Sequence, residues 1–244
     1  MWRGDGRENR GRGQVMNRES AGWWTGYLAN LEYRLPEIRQ ATLDTIYMVL
    51  ASTGMALAFG LLLAVLMILA HPRGLRPKAR LYRTVDWLVN IGRSFPFIIL
   101  LIAIQPLTRL VVGTTIGTTA MIVPLTIGAT PFAARILEGC LLEVDPGIVE
   151  AARSFGAGDM HIVWRVLFPE ALPSIVLNIA VIAITLLGYS AMAGTVGGGG
   201  LGDLAINYGY HRFQPDIMFC AVAILVVMVQ CIQSICGFIY RRIK

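Results

Sequence analysis

Few residues of this chain could perform covalent chemistry, and the most nucleophilic arrangement is a serine among small residues. Ser190 lies in the run Gly188-Tyr189-Ser190-Ala191-Met192. A serine nucleophile needs a base beside it, and no recognised pairing pattern connects Ser190 with His71, His161 or His211. The small residues are more typical of close packing between helices. A hydrolase built on Ser190 is therefore the minor alternative.

A glycine-rich run, Gly197–Gly200 followed by Leu201-Gly202, is the second pattern that could do chemistry, by cradling a phosphate. A P-loop also needs Gly-Lys-Ser/Thr at its end, and none follows here. We expect a flexible turn between two apolar segments instead. The sequence therefore offers no nucleotide site, and any ATP chemistry has to come from a partner protein.

The four cysteines do not have the spacing of a metal site. Cys220, Cys231 and Cys236 lie in one apolar run and Cys140 lies in a loop, with no CxxC pair. We expect small, reduced thiols in apolar surroundings. The sequence thus predicts no metal and no other cofactor.

The amino-acid composition indicates whether the chain is surrounded by water or by lipid. The chain has 244 residues, of which 55% are hydrophobic and 15% charged, with a net charge of +6 and a mean hydropathy of +0.61. A soluble domain carries about 25% charged residues. The composition therefore excludes a disordered chain, a disulfide scaffold and an ordinary cytosolic enzyme, and it predicts an all-α membrane protein.

Five apolar segments have the length or the character of membrane spans, since a span needs about 20 apolar residues. The first contains an uncharged run of 26 residues. The five predicted spans are Thr45–Ala70, Trp87–Thr108, Leu110–Ala134, Leu172–Met192 and Ile217–Tyr240.

Prolines and a glycine make the third predicted span irregular. Pro124 and Pro131 each remove a backbone donor and should kink the helix. Irregular backbone at membrane depth needs surroundings of protein or water. Gly128, Thr130 and Pro131 are therefore candidates for lining a path, and local helix packing is an equal alternative.

Basic residues predict the orientation of the spans. The segments 71–93, 135–169 and 241–244 fall on one side and hold 12 Lys and Arg residues, whereas four lie close to the spans on the other side. Since basic residues are enriched in cytoplasmic loops, we expect the C-terminus in the cytoplasm and the N-terminus outside.

The N-terminal segment has a different composition from the rest. Residues 1–25 begin with a Gly- and Arg-rich stretch, typical of disorder, and contain no signal-peptide core. Translation from Met16 instead of Met1 would improve the charge bias. We therefore divide the chain into an extension, 1–25, and a transmembrane domain, 26–244.

The uncharged runs at the centre of the predicted spans, Ser94–Thr108 in the second, contain no acidic or basic residues. Ion-driven transporters and pumps keep ionisable groups at membrane depth. Their absence argues against a chain that powers its own transport, and it favours a conduit that is driven from outside the membrane.

The cytoplasmic loop 135–170 contains strong helix signals. Asp145 is a candidate N-cap, Pro146 suits the first helical position, and Gly156 is a natural left-handed stop. The sequence predicts a helix over Pro146–Phe155, with one apolar stripe formed by Ile148, Val149, Ala152 and Phe155. It also predicts a second short helix from about Asp159 that ends before Pro169. The first helix could dock into another protein or merely cover the ends of the spans.

The amino-acid sequence of this loop resembles the EAA motif of ABC importer permeases. E-A-A-R-S-F-G runs from Glu150 to Gly156, nine residues follow, and V-L-F-P ends at Pro169. In that family the segment forms a coupling helix in a cleft of the cytoplasmic ATPase. The resemblance implies this role for six residues: Glu150, Ala151, Ala152, Arg153, Gly156 and Pro169.

Other segments resemble the membrane subunit of methionine ABC importers more specifically. They include V-N-I-G-R-S-F-P-F from Val89, I-V-P-L-T-I-G-A-T-P-F from Ile122 and G-Y-S-A-M from Gly188. The resemblance implies the type I importer permease fold, with about five transmembrane helices per subunit in a homodimer. It also implies a methionine-binding protein outside the cell, and it matches Met192 to a pore-lining position near the dimer axis. The predicted translocation path comprises Met192, its neighbours Ser190 and Tyr189, and the residues of irregular backbone, Gly128 and Pro131.

Together these observations predict a permease subunit, not an enzyme, in the bacterial inner membrane. Two copies would form the path for D- and L-methionine, coupled to two ATPase subunits. An ABC permease for another amino acid or small organic solute is the near alternative. A membrane scaffold that docks a cytoplasmic partner is the more distant one, and nucleic-acid binding is not expected.

Overall fold

The computed structural model describes residues 30–72 and 74–243, and every regular element in these ranges is helical. The predicted extension, 1–25, lies outside the described residues. The helices are α1 (Leu35–Ala70), α2 (Ala79–Ser94), α3 (Phe97–Ala103), α4 (Gln105–Val112), α5 (Thr118–Leu142), α6 (Pro146–Ser154), α7 (Asp159–Gly194), α8 (Gly200–Leu204) and α9 (Pro215–Ile243).

Four helices are long and apolar enough to cross a membrane, and a broken pair raises this number to five. The four are α1, α5, α7 and α9, and the pair is α2 with α3, which meet at 98°. The predicted all-α fold with about five spans is therefore confirmed. A helix of n residues is about 1.5n Å long, so α5 alone exceeds the thickness of a hydrocarbon core.

The predicted second span, Trp87–Thr108, is wrong as a continuous helix. The break falls between α2 and α3, where Phe95 is extended with φ −75° and ψ 127°. The cause is Pro96, which lacks an N–H and disfavours helical backbone for the residue before it. The second crossing is thus bent at the point where α2 meets the middle of the bundle.

The predicted start of the third span at Leu110 is also wrong. Leu110 belongs to α4, which ends at Val112, and the next long helix, α5, begins only at Thr118. Between them, Gly113 and Gly117 adopt positive φ values of 85° and 100°, which interrupt helical backbone. Helix α5 then continues through both of its prolines to Leu142.

The centre of the bundle is the contact between α1 and α5, the most extensive helix pair in the described chain. Small side chains allow the two backbones to approach closely. An added Cβ at Gly60 would lie 2.8 Å from the Cβ of Ala133. Helix α7 packs against both, whereas α9 is peripheral and is buried only at Asp216, Ile217 and Ala221.

The helices place the basic segments at one end of the bundle, which we term the coupling end. Here the Arg153 guanidinium donates a hydrogen bond to the Leu75 carbonyl, and Arg76 forms an ion pair with Asp159. Tyr240, near the end of α9, lines a cavity there together with residues of α5 and α7. Residues 71–78, α6, the start of α7 and the end of α9 therefore lie at the same end.

The opposite end, which we term the distal end, is formed by the start of α1, α8 and the start of α9. Asn30 donates a hydrogen bond to Asp216 over 2.5 Å, and the Leu201 N–H bonds to Thr45 Oγ1 at 2.8 Å. The glycine-rich turn lies between two membrane-spanning helices, α7 and α9, as predicted, and it packs here. An added Cβ at Gly200 would lie 2.6 Å from Thr45 Oγ1. Close backbone packing therefore explains glycine at this position.

Candidate functional site

Helix α6 is the external helix that the sequence predicted, and its capping interactions are those expected. The Gly147 N–H donates to Asp145 Oδ1 over 2.7 Å, with Pro146 in the first helical position. At the other end Gly156 has φ +80°, and its N–H bonds to the Arg153 carbonyl at 2.8 Å. The predicted helix is confirmed to within one residue, because Phe155 is the C-cap and not part of the last turn.

One side of α6 holds the helix against the bundle. Val149 and Ala152 pack on the apolar core between α1, α5 and α7. On the same helix, the guanidinium of Arg153 binds the Leu75 carbonyl and thereby ties α6 to the segment that follows α1. The helix is consequently fixed to two parts of the membrane domain.

The other side of α6 faces away from the described chain. Ala151 is exposed, and Phe155 has 92% of its surface accessible. Glu150 is also exposed, but it borders a cavity that Leu75 and Val149 line as well. The predicted single apolar stripe is therefore wrong, because Phe155 and Ile148, which is 40% exposed, do not join Val149 and Ala152 in the core. An exposed phenylalanine beside small and acidic residues is a surface suited to a protein partner.

The second predicted helix does not end before Pro169. It continues as α7 to Gly194, and a π-helical turn over Val163–Leu167 precedes the proline, with the Phe168 N–H bonded to the Val163 carbonyl. A wider turn accommodates a residue that cannot donate a hydrogen bond. Residues at the coupling end and a full membrane span thus belong to one 36-residue helix.

A cavity of about 130 Å³ opens on the surface of the single chain, where the bend between α2 and α3 meets α5 and α7. The rings of Phe97 and Tyr189 stack in its wall with centroids 4.2 Å apart and an interplanar angle of 1°. Gly128 is close to this pair, since an added Cβ would lie 3.1 Å from Phe97 Cδ2. The lining residues are Gly92, Arg93, Phe95, Phe97, Leu100, Gly128, Phe132 and Tyr189.

Of the predicted path residues, Gly128 and Tyr189 line this cavity and three do not. Pro131 lies beside it, where an added Cβ at Gly92 would approach its Cγ to 2.6 Å. Ser190 points into the core, with 2% exposure and its hydroxyl donating to the Leu187 carbonyl at 2.7 Å. Met192 is 47% exposed on the surface of this single chain. Ser190 contacts no base among the described residues, which disfavours the hydrolase.

A charged network joins α2 to the last turns of α5, and sequence reasoning missed it. Glu138 is 1% exposed and accepts hydrogen bonds from Tyr82 Oη at 3.1 Å and Arg135 Nη1 at 2.8 Å. Arg135 also pairs with Asp86. Helix α5 extends past Ala134, the predicted end of the third span, to Leu142, and its last turns therefore carry Arg135 and Glu138. An Arg-x-x-Glu pair directly after an apolar run was the signal available in the sequence.

No cluster of three or more potential metal ligands occurs in the part of the chain that the structure describes. Cys140, the buried thiol, accepts contacts from Asn178 Nδ2 at 3.3 Å and Ser174 Oγ at 3.4 Å. This sulfur therefore packs between two polar side chains at the coupling end.

The fold and the site together define a polytopic helical membrane protein that presents an external docking helix at one end, the class to which permease subunits belong. Residues 56–244 match the family described as "Binding-protein-dependent transport system inner membrane component", and the chain belongs to this family. It is thus the membrane component of a transport system and is not the system's ATPase.

Two curated relatives and one solved structure show how similar the family members are. The probable D-methionine transport system permease protein of Vibrio cholerae is 52% identical over 203 residues, 83% of this chain and 90% of that protein. The D-methionine transport system permease protein of Escherichia coli K12 is 50% identical, covering 62% of this chain and 70% of that protein. A chain of the MetNI methionine ABC transporter, in inward-facing conformations, superposes with a TM-score of 0.86 at 44% identity, over 87% of this chain and 99% of that one.

Proposed function

We propose that this chain is the permease subunit of an ATP-driven methionine importer, and that two copies form the path for D- and L-methionine. The observation that carries the proposal is α6, a helix capped at both ends, fixed to the bundle and exposing Glu150, Ala151 and Phe155. The substrate follows from the similarity to D-methionine permeases.

Each residue of the predicted coupling segment has a separate task in this proposal. Glu150 and Ala151 contact the cleft of the ATPase, since both are exposed on α6. Ala152 and Arg153 hold the helix on the membrane domain. Gly156 and Pro169 are not contacts but set the geometry, the first through its left-handed backbone and the second through the π turn.

The mechanism couples closure of two ATPase subunits to movement of the bundle. ATP binding closes the ATPases, α6 moves with them, and the contact between Arg153 and Leu75 transmits this movement to the end of α1. Helix α7 carries it along its length because its first turns lie at the coupling end. The spans then rock from inward-open to outward-open.

The path lies between two copies of the chain in this proposal. Met192 faces the partner copy, which agrees with its exposure on a single chain. Tyr189, Gly128 and Pro131 border the path from within each subunit, and Ser190 supports it from the core side. A methionine-binding protein delivers the substrate at the distal end, which faces outward because the coupling end carries the basic segments.

The structural arguments above apply equally to a permease for another amino acid, which is the near alternative. A non-transport scaffold would use α6 in the same way but would give no ATP-dependent flux. The cavity with stacked aromatic rings favours a transport path over a scaffold.

The coupling role is tested by reversing the charge on the exposed side of α6. We expect Glu150→Lys to reduce co-purification of the ATPase subunits several-fold, because it inverts the charge of an exposed contact residue. Glu32→Lys, an equally exposed change beyond the start of α1, is the matched control and should have no effect. Unchanged ATPase yield with Glu150→Lys would contradict the assignment.

A further inference from the structure

Arg93 is the residue whose position the proposed function does not yet explain. It lies in the last turn of α2, directly before the bend, and it lines the cavity with the stacked rings of Phe97 and Tyr189. Of the described residues that line this cavity, Arg93 is the only charged one. Sequence reasoning had assigned it to the basic loop 71–93.

The depth of Arg93 separates it from the other basic residues of the coupling end. The neighbouring residue, Gly92, abuts Pro131, which is 11 residues from the end of α5 and therefore about 16 Å from it. Along α2, Arg93 lies two turns, about 10 Å, beyond the Asp86–Arg135 ion pair. Snorkelling to the headgroups does not account for a guanidinium this far along the span.

Arg93 is exposed in the single chain, and its guanidinium has no partner among the described residues. It forms no ion pair and no hydrogen bond with any residue that the structure describes, although the nearby Arg135 has two carboxylate partners. Charged groups inside a membrane face a water-filled cavity and mark the route of a substrate. The donor capacity of Arg93 is thus available to a molecule in the cavity.

The chemistry of the cavity wall indicates which molecule this is. A guanidinium binds a carboxylate through two parallel N–H···O bonds, and it does so better than any other side chain. Beside Arg93 and two glycines, the lining side chains are aromatic or aliphatic, and they include Phe95, Phe97 and Leu100. A thioether packs favourably on aromatic rings. A cation beside such a wall matches an amino acid with an apolar side chain.

We infer that Arg93 binds the α-carboxylate of the amino acid in transit, while Phe97 and Tyr189 border its side chain. The inference rests on the proposed function and adds to it a substrate-binding residue within the membrane. It makes the permease itself, and not only the external binding protein, selective for a carboxylate.

The test uses the complete transporter in proteoliposomes, with its ATPase and binding protein, and measures labelled methionine taken up per ATP hydrolysed. We expect Arg93→Gln to lower this ratio about tenfold or more, the loss of one charge-assisted contact, with complex yield and ATPase rate unchanged. Arg93→Lys should give a ratio between those of Arg93→Gln and the wild type, because it keeps the charge but loses the two parallel N–H···O bonds. Arg83→Gln, an exposed change in the same helix, should behave as the wild type.

A chemical-rescue experiment keeps the result independent of assembly. Arg93→Cys is reconstituted first and then modified with a cationic or an anionic thiol reagent, and the treated wild type gives the background from the four native cysteines. Recovery only with the cationic reagent is expected. Wild-type uptake by Arg93→Gln, or equal recovery with both reagents, would overturn the inference. Failure of the wild type itself to import methionine would instead count against the proposed function.

Discussion

At the scale of single residues, two glycines that lie two positions apart after α6 have opposite requirements. Gly156 has φ +80°, whereas Gly158 has φ −73° and ψ 156°, a conformation open to any residue. An added Cβ meets nothing within 4 Å at either position. Both positions therefore have room for a larger side chain, and Gly156 and Gly158 differ only in backbone conformation.

This difference gives a matched pair of substitutions. We expect Gly156→Val to reduce methionine uptake per ATP hydrolysed, because left-handed backbone costs a β-branched residue about 1 kcal/mol or more and the cap of α6 shifts. Gly158→Val should leave the ratio near the wild-type value. Equal ratios for the two variants in proteoliposomes would show that the left-handed cap does not matter for coupling.

Residue-scale features differ in how far the sequence reveals them. The caps of α6 were predictable because Asp145, Pro146 and Gly156 act through local backbone geometry. The exposure of Phe155 was not, because its position depends on where the last turn ends against the bundle. The proposed role of Arg93 could not be predicted either. The sequence does not distinguish an arginine at the end of a basic loop from one that lies within a span.

At the scale of elements, the charged network between α2 and α5 holds the bent crossing in place. Asp86 and Tyr82 of α2 meet Arg135 and Glu138 of α5, and an apolar cluster that includes Val85 and Val89 packs beside them. The carboxylate of Glu138 is almost fully buried. Removing its partner leaves a buried charge uncompensated.

We therefore expect Arg135→Ala to destabilise the protein by about 3 kcal/mol, visible as a lower thermal unfolding temperature in detergent. The double variant Arg135→Met/Glu138→Leu should recover most of this loss, because an apolar pair replaces the whole buried ion pair. Arg83→Ala, exposed on α2, is the control. A double variant as unstable as Arg135→Ala would refute the view that the unpaired carboxylate causes the loss.

At this scale, the sequence does not predict whether a proline breaks a helix or lies within a continuous one. Pro124 and Pro131 lie inside a continuous α5, Pro96 breaks a crossing, and Pro169 follows a π turn within α7. The local rule is the same for all four: no donor and a restricted preceding residue. Which outcome occurs depends on the neighbouring helices, whose positions a single sequence does not give. Helices without internal proline, such as α1 and α9, were located correctly in their apolar parts.

At the scale of the whole molecule, the described chain has two ends with different surfaces, and we propose that two copies complete the path. The coupling end exposes Phe155 and Glu150, and the distal end is tightly packed around Thr45 and Gly200. Helix α9 packs through few residues and leaves most of its apolar surface exposed, as expected for contact with lipid. The arrangement accounts for a subunit that transmits force from one end and encloses a substrate only with a second copy.

The measurement that tests this account most directly is uptake of labelled methionine by cells that lack their own methionine transport. The cells would produce this chain with its ATPase and binding protein, and a hydrolysis-deficient ATPase would serve as the control. The account predicts uptake that requires ATP hydrolysis. An assembled complex that hydrolyses ATP without importing methionine would contradict the substrate assignment. A chain that assembles with no ATPase would contradict the coupling role of α6.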